Sequence, residues 1–149
     1  MIIENMKAKG RLSIVFKDAD GNIKDTREVD NLVVDTGLDY IASRMKDAPA
    51  TAMSHMALGS GTTAAAAGDT DLESVLGSRE ALDSTTVTDN TVQYVSSFEA
   101  GDGTGAVTEA GIFNASTGGT MLCRTVFSVV NKGANDTLSI TWTISLTAS

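Results

Sequence analysis

The chain carries one histidine, His55, and one cysteine, Cys123, so most side-chain chemistry would have to pass through one of them. A lone histidine supplies neither a histidine-based metal cluster nor two cooperating imidazoles within one chain. As a general base it would need a serine or threonine nucleophile on a strained elbow, and no GxSxG segment provides one. The expectation for His55 is therefore a packed or surface histidine. Cys123 alternates with Met121, Thr125 and Phe127, which places it on the inward side of a strand, where a free thiol behaves as a small hydrophobe. A reactive thiolate would want exposure and a cation, and the neighbouring Arg124 points to the opposite side.

Three polar clusters could hold an ion or a phosphate. Asp18, Asp20 and Asn22 open like a calcium loop, but glycine comes fourth rather than sixth, and Val29 stands where a bidentate glutamate is required. A hairpin turn accounts for them, and the same holds for Asp102 within GDGTG. The GSGTT segment, residues 59–63, looks like a phosphate cradle but has no lysine and no periodic helix behind it. No pair of carboxylates is singled out for acid–base work. The sequence thus predicts no catalytic, cofactor or metal site, and a chain that is not an enzyme.

Bulk properties narrow the class. With 149 residues, 42% of them apolar and 20% charged, the chain can bury one core as a single domain, 1–149. Fourteen glycines against one proline, with serine and threonine gathered in the second half, suit strands and glycine turns. A net charge of −8 opposes binding to a polyanion, so no direct nucleic-acid partner is expected. Lys7, Lys9 and Arg11 read as a solvated strand face. One cysteine excludes an internal disulfide, as suits a reducing cytoplasm. No run of 18 apolar residues occurs, so neither a signal peptide nor a membrane span is expected.

Hydrophobic spacing then gives the elements. Residues 8–16 alternate as a half-buried strand, the DADGN turn follows, and residues 23–34 continue as the second arm of a hairpin. TGLDYIASRM predicts the one helix, about residues 37–46, capped by Thr36 and burying Leu38, Ile41, Ala42 and Met45. Residues 53–58 form a short strand. The segment 59–70, with its AAAAG, lacks periodicity and is expected as a flexible loop, like the N-terminus 1–7; residues 69–76 suit one or two helical turns. Strands follow at about 91–98, 107–113, 120–130 and 137–146. The last is the most regular, with Leu138, Ile140, Trp142, Ile144 and Leu146 on its core face. Seven or eight strands without βαβ alternation predict a mainly β fold, an antiparallel β-sandwich or jelly roll with one short helix.

Read in order, NLVVDTGLDYIASRM, MALGSGTTAAAAGDTDLESVLGSR and VTEAGIFNASTGGTMLCRTVFSVVNKGANDTLSITWTISL resemble small virion structural proteins of tailed phages. The shared pattern is a "GL..IA" helix, a "GxGTT...DTxL...R" loop, an "EAGIFN" strand, a "GTMLxR" strand and a final alternating "WTI" strand, from about Asn31 onward. The resemblance is closest to jelly-roll cement or decoration proteins of podophage capsids, with tail or tail-fibre components as the alternative. It implies a protein that clamps the outside of an HK97-like shell, with the major capsid protein and further copies of itself as partners, a dimer or trimer at a symmetry axis. Under that implication Met1, Ile2, Ile3, Gly59, Gly61, Thr62 and Thr63 are candidate partner contacts. Glu109 and Arg124 lie in the family-like strands and are expected as an ordinary cross-strand ion pair.

Overall fold

A computed structural model describes residues 5–46 and 51–148. Met1, Ile2 and Ile3, the N-terminal candidates for partner contact, lie outside the described residues. The described residues form nine strands, β1 (Met6–Lys17), β2 (Ile23–Val33), β3 (His55–Gly59), β4 (Glu80–Ala81), β5 (Ser84–Thr88), β6 (Thr91–Phe98), β7 (Gly105–Phe113), β8 (Met121–Lys132) and β9 (Thr137–Ala148). A helix, α1 (Asp35–Ser43), the one α-helix among the described residues, follows β2 and ends in a 3-10 turn, Arg44–Lys46. All pairings are antiparallel, in the order β4-β3-β7-β8-β2-β1-β9-β6-β5. The expected mainly β, antiparallel fold with one short helix is what the chain adopts.

One strand turns this sheet back over itself. Over most of its length β2 pairs with β1, Gly10 facing Asn31, but its last two residues leave and pair with β8, Leu32 with Arg124 and Val33 with Cys123. A strand that changes partners in this way makes a corner between two packed layers. Leu12, Ile14, Phe98, Leu138, Ile140 and Trp142 from one layer then meet Met56, Leu58, Ala110, Ile112, Leu122 and Cys123 from the other in one core. On β9, Leu138, Ile140, Trp142 and Ile144 are buried as the alternation predicts, while Leu146 is half-buried at the rim.

Several boundaries differ from the sequence expectation. Residues 6 and 7 belong to β1 rather than to a free N-terminus, because they pair with Ala148 and Thr147. Strands β4 and β5 had no counterpart in the hydropathy pattern: β4 is two residues long, and β5, STTVT, is exposed throughout and offers no alternation. Residues 69–76 form no helix, since the amides of Glu73, Ser74 and Leu76 are drawn to partners across the fold, as described below.

The helix starts at Asp35, and Val34 occupies the cap position without a side-chain cap. Thr36 lies inside the first turn, and its hydroxyl donates to the Met121 carbonyl at 3.0 Å. The buried side of α1 is also rotated from the expected one. Gly37 is its buried residue, Tyr40 and Ile41 pack on the core, and Leu38 and Met45 are exposed. The cause is close approach: a β-carbon on Gly37 would sit 2.0 Å from the Leu122 carbonyl oxygen, so only glycine lets α1 rest on β8. Urea unfolding of single variants checks this packing. Ile140→Ala should cost about 2–5 kcal/mol through its cavity, Gly37→Ala about 1–3 kcal/mol through overpacking, and Leu38→Ala no more than about 0.5 kcal/mol.

Candidate functional site

The residues of the quoted pattern converge on one buried carboxylate. Glu109, in the middle of β7, is 0% exposed, and Arg124, on the adjacent β8, is 2% exposed. Glu109 Oε1 accepts from Arg124 Nε at 3.0 Å and from the Glu73 amide at 2.9 Å; Oε2 accepts from the Gly61 amide at 2.7 Å and the Ser74 amide at 2.8 Å. Arg124 uses the rest of its fork on Asp69 Oδ2 at 2.9 Å and the Thr63 carbonyl at 3.0 Å. The expected cross-strand ion pair is present, but as the centre of a network rather than a surface pair.

That network holds the segment 59–76. Its base is closed by the Ser60 amide on the Ser74 carbonyl, the Leu76 amide on the Leu58 carbonyl and a bridge between Gly59 and Val75. Thr108 Oγ1 donates to the Gly61 carbonyl at 2.7 Å, and Asp69 also accepts the Ala66 amide. Among the candidate contacts, Gly59 and Gly61 are buried against Glu109: a β-carbon on either would fall about 2.5 Å or less from its carboxylate. Their lack of side chains serves the chain's own packing, and of the four candidates among the described residues Thr62 and Thr63 face outward. The segment is thus tied to the body of the protein mainly through its own backbone groups, which the Glu109 and Arg124 side chains engage.

Two outer attachments extend the lock. Glu73 Oε1 accepts the Thr62 amide at 3.0 Å and the Thr63 amide at 3.4 Å. Hydrogen bonds from the Thr63 side chain and the Thr62 amide hold the Glu73 carboxyl below its ordinary range. Arg79 stacks on the Phe113 ring at 3.6 Å from its centre and donates to the carbonyls of Ala115 and Gly118, both at 2.8 Å, fixing the turn after β7.

The other sequence candidates stand apart from this knot. His55 Nδ1 lies 2.7 Å from Ser54 Oγ, a contact between chain neighbours, and no carboxylate hydrogen-bonds the ring among the described residues. Cys123 is fully buried, as its alternation predicts, and burial pushes its thiol well up. Asp18 accepts the amides of Asp20 and Asn22, both at 2.9 Å, in the turn between β1 and β2, which holds its carboxyl low. No group of three or more potential metal ligands comes together among the described residues, and no described helix is long and apolar enough to cross a membrane.

What the arrangement can do is mechanical. A buried ion pair adds little net stability, because the cost of removing both charges from water offsets their attraction; loss of one partner, however, strands the other charge. The knot therefore decides which conformation the 59–76 segment adopts. No protein family, no curated protein and no solved structure matches the chain.

Glu109→Gln leaves two of these donors facing an amide group. Hydrogen exchange should then quicken at the amides of residues 61–74 while those of β9 stay protected. The Glu73 attachment carries a pH sign: its carboxyl is depressed in the fold, so its contribution is present above the ordinary glutamate range and lost as pH falls through the lowered value. The difference in Thr62 and Thr63 exchange between the wild type and Glu73→Gln should accordingly be present at neutral pH and vanish in acid.

Proposed function

We propose that the chain is a structural protein of a tailed-phage particle, a capsid cement or decoration protein that binds the outside of an HK97-like shell of major capsid protein and stabilises it. The observation that carries the proposal is the convergence of the quoted pattern: Gly59, Gly61, Asp69, Arg79, Glu109, Phe113 and Arg124 all serve to hold one loop and the turn beside it. Residues that share a pattern with virion proteins are thus engaged in shape, as expected of a part whose work is to fit against neighbours.

Charge supports the same reading. A protein carrying −8 is repelled by packaged nucleic acid and suited to an outer surface. In this reading the chain assembles in the host cytoplasm, associates with itself as a dimer or trimer at a symmetry axis, and resists internal pressure through weak contacts multiplied by lattice symmetry. The outward Thr62 and Thr63, on a loop already fixed by Glu109, lose little conformational entropy on docking.

Quantitative mass spectrometry of purified particles, with electron cryo-microscopy of the same sample, tests it. The chain should be present at a copy number comparable to the major capsid protein, as density on the outer shell. A handful of copies in the tail would replace this proposal with a tail or tail-fibre role.

A further inference from the structure

The fork that turns the sheet also leaves a strand edge open. β2 pairs with β1 only as far as Asn31 opposite Gly10 and then crosses to β8. Among the described residues, Met6, Lys7, Ala8 and Lys9 therefore pair on the β9 side alone. This is about 13 Å of strand with unpaired backbone donors and acceptors along one side. A groove of about 940 Å³ follows it, lined by Met6–Arg11 of β1 and, across the fork, by Asp30–Val33 and Leu38. Leu32 and Leu38, exposed at 37% and 45%, give that far wall an apolar surface. At the fork Asn31 lies over Gly10, where a β-carbon would collide with its amide. Both polar atoms of that amide are buried without a hydrogen-bond partner, and the Cys123 thiol beside it is only a weak donor. Charge distinguishes this edge further. Arg11 bridges Glu28 at 3.2 Å and pairs across the strands with Asp30, whereas Lys7 and Lys9, both exposed, have no ion pair among the described residues. Three cations against two carboxylates thus line a groove in a chain whose net charge is −8.

We propose that this edge is a docking site for an extended acidic segment of a partner protein, which adds to β1 as a further strand. Lys7 and Lys9 stand two residues apart on one side of β1, so carboxylates at alternate positions of the added strand fall beside them. The intervening side chains are apolar and pack beside Met6 and Ala8, with Leu32 and Leu38 on the far wall. The added backbone also brings to the fork a donor and an acceptor of the kind Asn31 lacks. The two lysines decide what is admitted. They repel a second copy of the same edge, which blunts self-pairing, and attract a strand of opposite charge. A nucleic acid offers negative charge but no strand backbone, and no aromatic ring lines the groove for bases to stack on. The inference stands apart from the shell role, because an acidic strand can dock whether or not the chain belongs to a particle.

Titration of the full chain with a capped octapeptide of alternating glutamate and valine, followed by calorimetry and amide hydrogen exchange, tests it. The peptide should bind at millimolar concentration, and less tightly as ionic strength rises, because salt screens the charge pairs. Binding should slow exchange within residues 6–9 and leave the exposed β5 edge unchanged. Lys7→Glu and Lys9→Glu should each weaken binding about fivefold. Lys17→Glu makes the same change of charge on the same strand, about 26 Å beyond Lys9, and should leave affinity within about twofold. A peptide with its four valines and four glutamates in separate blocks should bind more weakly than the alternating one, and oligothymidylate of equal charge should not bind. No binding of the alternating peptide, equal binding of the block peptide or the oligonucleotide, equal losses from Lys9→Glu and Lys17→Glu, or protection that falls on β5 would overturn the site. Each of those outcomes leaves the shell role standing; a chain that binds the peptide but is absent from particles would separate the two claims the other way.

Discussion

A carboxylate with no exposure to solvent must find its hydrogen-bond donors inside the protein, and in this chain that demand shapes the 59–76 segment. Glu109 takes three backbone amides from the 59–76 segment and one guanidinium N–H from β8. Three of the four donors are main-chain, so the segment cannot drift without leaving the charge unmet. Removing one partner from such a buried pair costs about 3–5 kcal/mol, whereas the intact pair contributes little net stability. The knot therefore specifies a conformation more than it strengthens one.

The rest of the architecture makes that knot attainable. Glu109 and Arg124 meet because β7 and β8 pair as neighbours, with Glu109 opposite Val126 and Gly111 opposite Arg124. On its other side Arg124 is paired with Leu32, where β2 leaves β1 and joins β8. Glycine at 59 and 61 opens the space that the carboxylate fills, and glycine at 37 lets α1 lie on β8 directly beside it. The helix start is in turn tied to the loop, the Asp35 amide donating to the Ala67 carbonyl at 2.8 Å.

Alternation made the long strands legible in the sequence, because β1, β6 and β9 each bury one face and a period of two is visible residue by residue. It failed where burial does not alternate. That is the case for β5, which is buried on neither side; the middle of β7 is buried on both sides, and that strand is legible from the glycine-rich turns that bound it rather than from alternation. The helix was found but misrotated, since Leu38 and Met45 mark the apolar positions while tight backbone contact at Gly37 decides which side is buried. The loop is the least legible part of the sequence. AAAAG looks unstructured because its own side chains do nothing; its order comes from Glu109 and Arg124, some 40 to 60 positions away, which local spacing cannot reveal. The GSGTT glycines resembled a ligand cradle for a related reason: a glycine that admits a phosphate and one that admits a neighbouring carboxylate look the same in sequence.

Glu109 and Arg124 act as a unit in holding the loop. A double-mutant cycle of Glu109→Ala and Arg124→Ala, followed by urea unfolding, measures that directly. Strong coupling is expected: each single variant is severely destabilised, and the double variant loses about 1–3 kcal/mol less than the sum of the two single losses. Additive losses would show the two side chains acting independently and would contradict it.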